Sequence, residues 1–145
     1  MKVWMNGKLI DKERAAVSVY DHGLLYGDGV FEGIRVYNGK IFQCDAHVDR
    51  LFASASAIRL KIPITREEII DAMERTVAAN GIVDGYIRLV VTRGPGTLGL
   101  NPFKCPSPVV FVIADQIAIY SPEMYENGLE VIIAKTRRIS PEMLP

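Results

Sequence analysis

The chain has 145 residues, a length for which a single domain is the default expectation. Lysine plus arginine and aspartate plus glutamate number 17 each, so the charge balance gives no indication of a nucleic-acid or acidic-membrane partner. Apolar residues make up 49% of the chain, yet no apolar run approaches the roughly 18 residues of a membrane-spanning helix. The excess apolar surface therefore predicts a second domain or a second subunit that covers it.

The two cysteines, Cys44 and Cys105, belong to no CxxC motif. The sequence therefore predicts neither a disulfide framework nor a metal site. The N-terminal residues MKVWMNGK lack the charged region and the apolar core of a signal peptide, so a reducing, cytoplasmic setting is expected.

Two β-hairpins are predicted before the first long helix. Asn6-Gly7 and Asn38-Gly39 are dipeptides typical of type I′ turns, and each is flanked by segments that can form strands. The second hairpin joins a strand over 30–37 to a strand over 40–43. Hairpins in this order indicate an antiparallel sheet built as a meander rather than by parallel crossovers.

Two amphipathic helices follow. The first is predicted to have Asp45 as its N-cap, and the second begins at Thr65, which forms a T-x-x-E capping box with Glu68. Asn80-Gly81 is a typical C-terminal cap. Apolar residues recur at steps of three and four, at Val48, Leu51, Phe52, Ala55 and Ile58 in the first helix and at Ile69, Ile70, Met73 and Val77 in the second.

Further strands are predicted over 17–19, 86–93, 108–114 and 129–134. The third of these is a near-continuous apolar run and should be buried on both faces. A loop that starts at Gly94 separates it from the strand before it. The predicted fold class is α+β, with a mostly antiparallel sheet and two amphipathic helices on one of its faces.

A glycine-punctuated stretch, YDHGLLYGDGVFEGIR, extends from Tyr20 to Arg35. It is predicted to begin as a loop and to end as a strand. Its large aromatic residues, Tyr26 and Phe31, indicate a loop that lines a pocket. The alternative is an entry into a hairpin whose aromatic rings fill the core.

The segments YGDGVFEGIR and HVDRL occupy residues 26–35 and 47–51. Together they resemble the fold-type IV aminotransferases that use pyridoxal 5'-phosphate, and they are most similar to the branched-chain amino acid aminotransferases. The resemblance extends over the whole chain. It implies the N-terminal small domain of that fold over 1–120, then an interdomain connection and the start of a C-terminal domain over 121–145.

Arg50 lies off the apolar face of the first predicted helix, as does His47. From the residues alone, Arg50 would be a solvated surface side chain. The resemblance implies instead that it binds the cofactor phosphate, for which a planar and permanently charged guanidinium is well suited. His47 belongs to the same motif and is expected to support the hairpin rather than to act in catalysis.

Tyr86 and Arg88 are two residues apart on one predicted strand and therefore lie on the same face. From the residues alone, they would form an exposed cross-strand pair. The resemblance implies that they bind substrate, with the Tyr86 hydroxyl toward the α-carboxylate and Arg88 toward the second carboxylate of glutamate.

The resemblance also implies a substrate pocket with further residues at Tyr26, Phe31, Gly33, Arg35 and Leu100. Apolar lining of this kind stabilises a bound aliphatic side chain by about 0.8 kcal/mol per buried methylene. In the family, part of the lining crosses a dimer interface, so a homodimer or a higher homo-oligomer is expected. Arg50, Tyr86 and Phe31 are then expected to share the wall of one cavity.

Transamination with pyridoxal 5'-phosphate needs a lysine that holds the cofactor as a Schiff base. None of the lysines lies in the sequence context that the family uses for this residue; they are Lys2, Lys8, Lys12, Lys40, Lys61, Lys104 and Lys135. The segment RRISPEMLP, over 137–145, resembles the passage just before that lysine. We therefore expect the Schiff-base lysine beyond Pro145 and no activity from residues 1–145 alone.

The function implied by the resemblance is ping-pong transamination between branched-chain L-amino acids and 2-oxoglutarate. Two alternatives have the same fold, a D-amino acid aminotransferase and an aminodeoxychorismate lyase. The segments FEGIR and YIR favour the branched-chain group over the lyases. An alternative from another class is a non-catalytic α+β domain that only binds or dimerises.

Overall fold

The computed structural model describes residues 1–117 and 120–143 and has the predicted α+β fold. Six strands form one sheet: β1 (Lys2–Met5), β2 (Lys8–Asp11), β3 (Gly29–Tyr37), β4 (Lys40–Ile41), β5 (Gly85–Thr92) and β6 (Val109–Asp115). The α-helices of the described residues are α1 (His22–Tyr26), α2 (Cys44–Ala57), α3 (Arg66–Ala79) and α4 (Pro122–Asn127). None of these helices combines the length and the apolar character needed to cross a membrane.

The sheet is antiparallel, with the strand order β2-β1-β6-β5-β3-β4. Both predicted hairpins are present, and the residues of the two Asn-Gly turns have φ between 46° and 92°, as type I′ turns require. The expected meander is wrong, however, because the β1–β2 hairpin joins the sheet beside β6. That pairing places Met5 opposite Phe111, a contact between distant residues that no local pattern specifies.

The start of α2 differs from the prediction. Gln43 occupies the cap position in a left-handed conformation with φ of 49°, and no side chain caps the helix there. Asp45 lies inside the first turn, where its charge interacts favourably with the helix dipole. The predicted apolar face is confirmed: Val48, Leu51 and Ala55 are buried, and Phe52 and Ile58 pack against the core.

The predicted limits of α3 are confirmed. The Thr65 hydroxyl accepts from the Glu68 N–H at 3.2 Å, and the Glu68 carboxylate accepts from the Thr65 N–H at 2.7 Å, which completes the capping box. Asn80 caps the other end, and Gly81 follows with φ of 61°. The Asn80 side chain also accepts from the Lys2 N–H at 2.7 Å, which ties the end of α3 to β1.

Several local predictions are wrong. Residues 17–19 and 129–134 form no strand, and β4 ends at Ile41 rather than at residue 43. The glycine-punctuated stretch contains α1, because the Asp21 carboxylate accepts from the Gly23 N–H at 2.7 Å and so caps a short helix.

Buried and partly exposed residues alternate along most of β3, β5 and β6, so one face of the sheet is covered. On β6, Val110, Val112 and Ala114 are buried while the residues between them are half-buried, so the expected burial of both faces is wrong for the described chain. The buried residues of β3, β5 and β6 form one core with α2 and α3, which confirms that both helices lie on the same side. We call the opposite side of the sheet the open face.

Candidate active site

Five of the residues selected from the sequence lie together on the open face: Phe31, Gly33 and Arg35 on β3, and Tyr86 and Arg88 on β5. The register places Gly33 opposite Arg88 and Arg35 opposite Tyr86. Directly opposed residues of antiparallel strands have Cβ atoms about 5 Å apart. The five positions therefore form one compact group at the centre of the open face.

Arg88 lies between two aromatic rings. Its guanidinium carbon is 4.5 Å from the centroid of the Phe31 ring and 5.5 Å from that of the Tyr86 ring. Both distances fall within the range of cation–π contacts. Among the described residues, no carboxylate pairs with Arg88, so its positive charge is held over apolar rings and is available to an anionic ligand.

Gly33 provides space for the Tyr86 ring. A Cβ atom at Gly33 would overlap the Tyr86 hydroxyl and lie 2.9 Å from Cζ and 3.1 Å from Cε2. No L-side chain fits there without displacing the ring. The absence of a side chain at Gly33 therefore leaves the space on the open face that the Tyr86 hydroxyl occupies.

Arg35 has an unsatisfied donor. Its Nε is buried and has no hydrogen-bond partner among the described residues. The guanidinium carbon lies 5.2 Å from the ring centroid of Tyr37. An unpaired buried donor costs about 1–3 kcal/mol, so this side chain is held at some cost in stability.

Tyr26 and Leu100 belong to a second group, at the end of the sheet. The Tyr26 hydroxyl donates to the Leu98 carbonyl at 2.6 Å, and Nε2 of His22 lies 2.7 Å from the Thr97 carbonyl. A carbonyl only accepts, so Nε2 of His22 carries the proton. These two bonds attach α1 to the loop of residues 97–104, which carries Leu100.

The rings of the glycine-punctuated stretch do not fill the core. Phe31 is 63% exposed and Tyr26 is 39% exposed, so the alternative of a core-filling hairpin entry is wrong. Further exposed apolar side chains lie on α1, beside Tyr26 in the chain, and on the 97–104 loop, to which the Tyr26 hydroxyl donates. We call this set the tip patch; it comprises Leu24, Leu25, Tyr26, Leu98, Leu100 and Phe103.

Arg50 extends from α2 to a buried carboxylate on β3. Its Nε donates to Oε1 of Glu32 at 2.8 Å, and its Nη2 donates to Oε2 at 2.6 Å. Nδ1 of His47 lies 2.8 Å from the same Oε2. His47 therefore contacts a strand of the second hairpin, as the sequence predicted for it. Sequence reasoning overlooked Glu32, although the alternation of β3 places it on the buried face with Val30 and Ile34.

The charge of Glu32 is stabilised by its two partners. Burial has the largest influence and raises the pKa of the Glu32 carboxyl, but the hydrogen bonds and charges of Arg50 and His47 outweigh it. The pKa therefore lies below the ordinary value. The same pairing raises the pKa of Arg50.

The structure places Arg50 and the open-face group on opposite sides of β3. Glu32 and its partners lie on the side of α2, whereas Phe31 and Tyr86 lie on the open face. The described residues by themselves therefore do not form the expected common cavity wall. The two sides meet at the edge of β3 that faces away from β5. There β4 pairs only with Val36 and Tyr37, so this edge of 29–34 has no neighbouring strand in the described chain.

Arg50 still fits a phosphate group. The bidentate contact with Glu32 uses Nε and one hydrogen of Nη2, and Nη1 has no partner among the described residues. The Arg50 side chain is 64% exposed, so the edge formed by Nη1 and Nη2 faces solvent. A guanidinium edge of this kind matches two phosphate oxygens.

The chain thus combines an exposed arginine on a helix with a second arginine held between aromatic rings, beside an apolar surface. The sequence model of the amino-transferase class IV family matches residues 29–145, and the chain belongs to this family.

Relatives of this chain include two kinds of aminotransferase. A protein of Methanocaldococcus jannaschii named "Putative branched-chain-amino-acid aminotransferase" is 49% identical over 144 residues, which are 99% of this chain and 49% of that protein. A D-alanine aminotransferase of Listeria monocytogenes is 48% identical over 94 residues, which are 65% of this chain and 32% of that protein. The chain spans about half, or less, of the length of these curated relatives.

Solved structures agree with the family assignment. The branched-chain amino acid aminotransferase from Escherichia coli has a TM-score of 0.84 and 29% identity, over 99% of this chain and 47% of that chain. The T.th. branched-chain amino acid aminotransferase in complex with N-(5'-phosphopyridoxyl)-L-glutamate has a TM-score of 0.76 and 38% identity, over 80% of this chain and 40% of that chain. The fold is that of the N-terminal domain of fold-type IV aminotransferases.

Proposed function

We propose that this chain forms part of the active site of an aminotransferase that exchanges an amino group between branched-chain L-amino acids and 2-oxoglutarate. The observation that carries the proposal is Arg88, whose charge lies between the Phe31 and Tyr86 rings on the open face. The exchange requires one pocket to accept both an aliphatic side chain and a carboxylate. Aromatic rings contact the aliphatic chain, and the guanidinium between them binds the carboxylate.

The proposed cofactor is pyridoxal 5'-phosphate, held at its phosphate by Arg50. When bound, it supplies the electron-withdrawing ring that amino-group transfer requires. A similar protein binds a phosphopyridoxyl compound, which supports this choice. The unpaired outer edge of β3 gives one ligand access to Arg50 on one side and to Phe31 on the other. This chain matches only part of the length of its relatives, and we propose that the lysine that holds the cofactor lies in the remaining part.

The remaining residues of the site have separate tasks in the proposed reaction. Gly33 leaves room for the Tyr86 hydroxyl, which would orient the substrate carboxylate, and the guanidinium of Arg35 on the same strand face offers further donors. Tyr26 and Leu100, which belong to the tip patch, would exclude water from the aliphatic side chain of a substrate bound by a second copy of the protein. These residues bind and orient the substrate, and none of them is assigned the proton transfer.

We further propose that the tip patch is covered by a second copy of the protein. A group of large apolar side chains exposed to this degree is typical of an interaction surface. The small domain over 1–120, the connection over 121–145 and the cytoplasmic setting stay predictions. Leu144 and Pro145, the last residues of the segment that resembles the passage before the lysine, lie outside the described residues.

The test uses the natural gene product that carries this sequence, assayed with pyridoxal 5'-phosphate. We expect amino transfer from L-leucine, L-valine and L-isoleucine to 2-oxoglutarate. Transfer from D-alanine alone would identify a D-amino acid aminotransferase, the alternative that the similarity to a D-alanine aminotransferase favours. Pyruvate release from aminodeoxychorismate would identify a lyase. A protein without activity or cofactor absorbance would be the non-catalytic domain.

Arg88→Gln separates the two kinds of substrate. Charge-assisted hydrogen bonds contribute about 1.5–3 kcal/mol, so kcat/KM for glutamate should fall by roughly ten- to a hundredfold. For leucine, kcat/KM should change by less than about threefold, because aromatic contacts bind its side chain. Arg75→Gln, which removes an exposed arginine paired with Asp71, is the matched control. Equal losses for glutamate and leucine would contradict the role of Arg88.

A further inference from the structure

Glu32 is an unusual residue for the covered face of β3. Its side chain is 5% exposed, and its neighbours on that face are Val30, Ile34 and Val36. A buried carboxylate without partners is strongly unfavourable. All the hydrogen bonds that the described residues make to the Glu32 carboxylate come from Arg50 and His47, so its burial depends on these two side chains.

The pair differs from an ordinary buried ion pair because only one member is buried. Arg50 is mostly exposed, and Glu32 binds the edge of the guanidinium formed by Nε and Nη2. The opposite edge is directed outward in a plane that the carboxylate fixes. An arginine has high side-chain entropy, and a bidentate contact removes most of it before a ligand arrives.

His47 reinforces this geometry. A carboxylate can only accept, so Nδ1 of His47 donates to Oε2 of Glu32. The distance of 3.1 Å between Nη2 of Arg50 and this Nδ1 is then a contact between two donors, not a hydrogen bond. Arg50 and His47 are thus both oriented by Glu32.

We propose that Glu32 is a positioning residue which, through Arg50, determines how tightly this chain binds the phosphate group of its cofactor. The proposal rests on the proposed function, in which Arg50 binds that phosphate. Glu32 reduces the net charge near the phosphate but holds the Nη1–Nη2 edge in one orientation. We infer that phosphate binding gains more from the fixed orientation of Arg50 than it loses through the negative charge of Glu32. The reason is that the carboxylate binds the Nε–Nη2 edge of the guanidinium, away from the edge that would contact the phosphate.

The experiment is a double-mutant cycle in the natural gene product, freed of cofactor. Dissociation constants are measured for pyridoxal 5'-phosphate and for pyridoxal, which lacks the phosphate, in Glu32→Gln, Arg50→Ala and the double variant. Asp71→Asn is the matched control, since it removes an exposed carboxylate that also pairs with an arginine. Thermal unfolding verifies that each variant folds. If Glu32→Gln does not fold, Glu32→Asp takes its place in the cycle.

Ordering one long side chain is worth about 0.5–1.5 kcal/mol, so Glu32→Gln should raise the Kd of pyridoxal 5'-phosphate by roughly two- to tenfold. The Kd of pyridoxal should stay unchanged. Arg50→Ala should have a larger effect, roughly ten- to a hundredfold, and Glu32→Gln should add nothing to it. Asp71→Asn should change neither constant.

The outcomes separate the two proposals. If Arg50→Ala weakens phosphate-dependent binding while Glu32→Gln leaves it unchanged or tightens it, the role of Glu32 is refuted and the proposed function stands. The role of Glu32 is likewise refuted if Glu32→Gln weakens both ligands equally or adds its full effect to Arg50→Ala. If Arg50→Ala changes nothing, the assignment of Arg50 as the phosphate ligand fails, and the inference about Glu32 fails with it.

Discussion

Replacing Arg93 with alanine removes one buried guanidinium that connects three segments of the chain. Its Nε and Nη2 donate to the two carboxylate oxygens of Asp28, at 2.9 Å and 2.8 Å. Its Nη1 and Nη2 donate to the carbonyls of Arg59 and Ile58, both at 2.8 Å, just after the end of α2. Arg93 therefore holds the end of α2, the end of β5 and the passage between α1 and β3 together.

The loss of stability expected for Arg93→Ala follows from the burial of the Arg93 side chain. The Arg93 side chain is 8% exposed, and removing one partner from a buried ion pair costs about 3–5 kcal/mol. The Asp28 side chain is 23% exposed, so water can solvate part of its carboxylate after the substitution. We therefore expect a loss toward the lower end, about 3 kcal/mol in the free energy of unfolding.

The assay is urea-induced unfolding of the natural gene product followed by far-ultraviolet circular dichroism. Arg75→Ala is the control, because its pair with Asp71 is exposed and spans one helical turn. Such pairs contribute less than about 0.5 kcal/mol. If Arg93→Ala destabilises the protein no more than Arg75→Ala does, burial of the ion pair does not stabilise this fold as argued.

Two further predictions concern β3. Gly33→Ala should displace the ring of Tyr86 and raise the KM for amino acid substrates. The loss of stability should stay below about 1 kcal/mol, because the ring is half-exposed and can move. An unchanged KM in steady-state kinetics would contradict this prediction. Because Arg50 and His47 lower the pKa of Glu32, its contribution to stability is present above its ordinary pKa of 4.5 and is lost as the pH falls through the folded-state pKa. In denaturation series from pH 7 to pH 3, wild type and Glu32→Gln should therefore converge in unfolding free energy at the acid end; a constant difference would refute the linkage.

Local signals in the sequence predicted the elements that local interactions stabilise. The two Asn-Gly turns require positive φ, and the Thr65 capping box pairs groups three residues apart, so both are specified by neighbouring residues. The apolar faces of α2 and α3 follow from helical periodicity in the same way. The fold class was predictable because these local elements leave few ways to cover one face of a sheet.

Errors occurred where the outcome depends on distant residues. The helix α1 is short, and its attachment uses a hydrogen bond from His22 to Thr97, 75 positions away. An apolar run such as 108–114 has the same pattern whether one or both faces are covered, so only the packed structure reveals the alternation of β6. The prediction of Asp45 as the N-cap of α2 failed for a similar reason, because a side chain can cap a helix only if the backbone turns at that residue.

Local patterns in the sequence were enough to predict antiparallel strand pairing, two helices buried on one side and the motifs of a class IV amino-transferase. The position of Arg88 between two aromatic rings and the contact of Arg50 with Glu32 on the other side of β3 became evident only in the folded chain. The difference arises because turns, caps and periodic faces are set by residues a few positions apart. The orientation of a charged side chain, in contrast, is set by partners that only the folded chain brings within hydrogen-bonding distance.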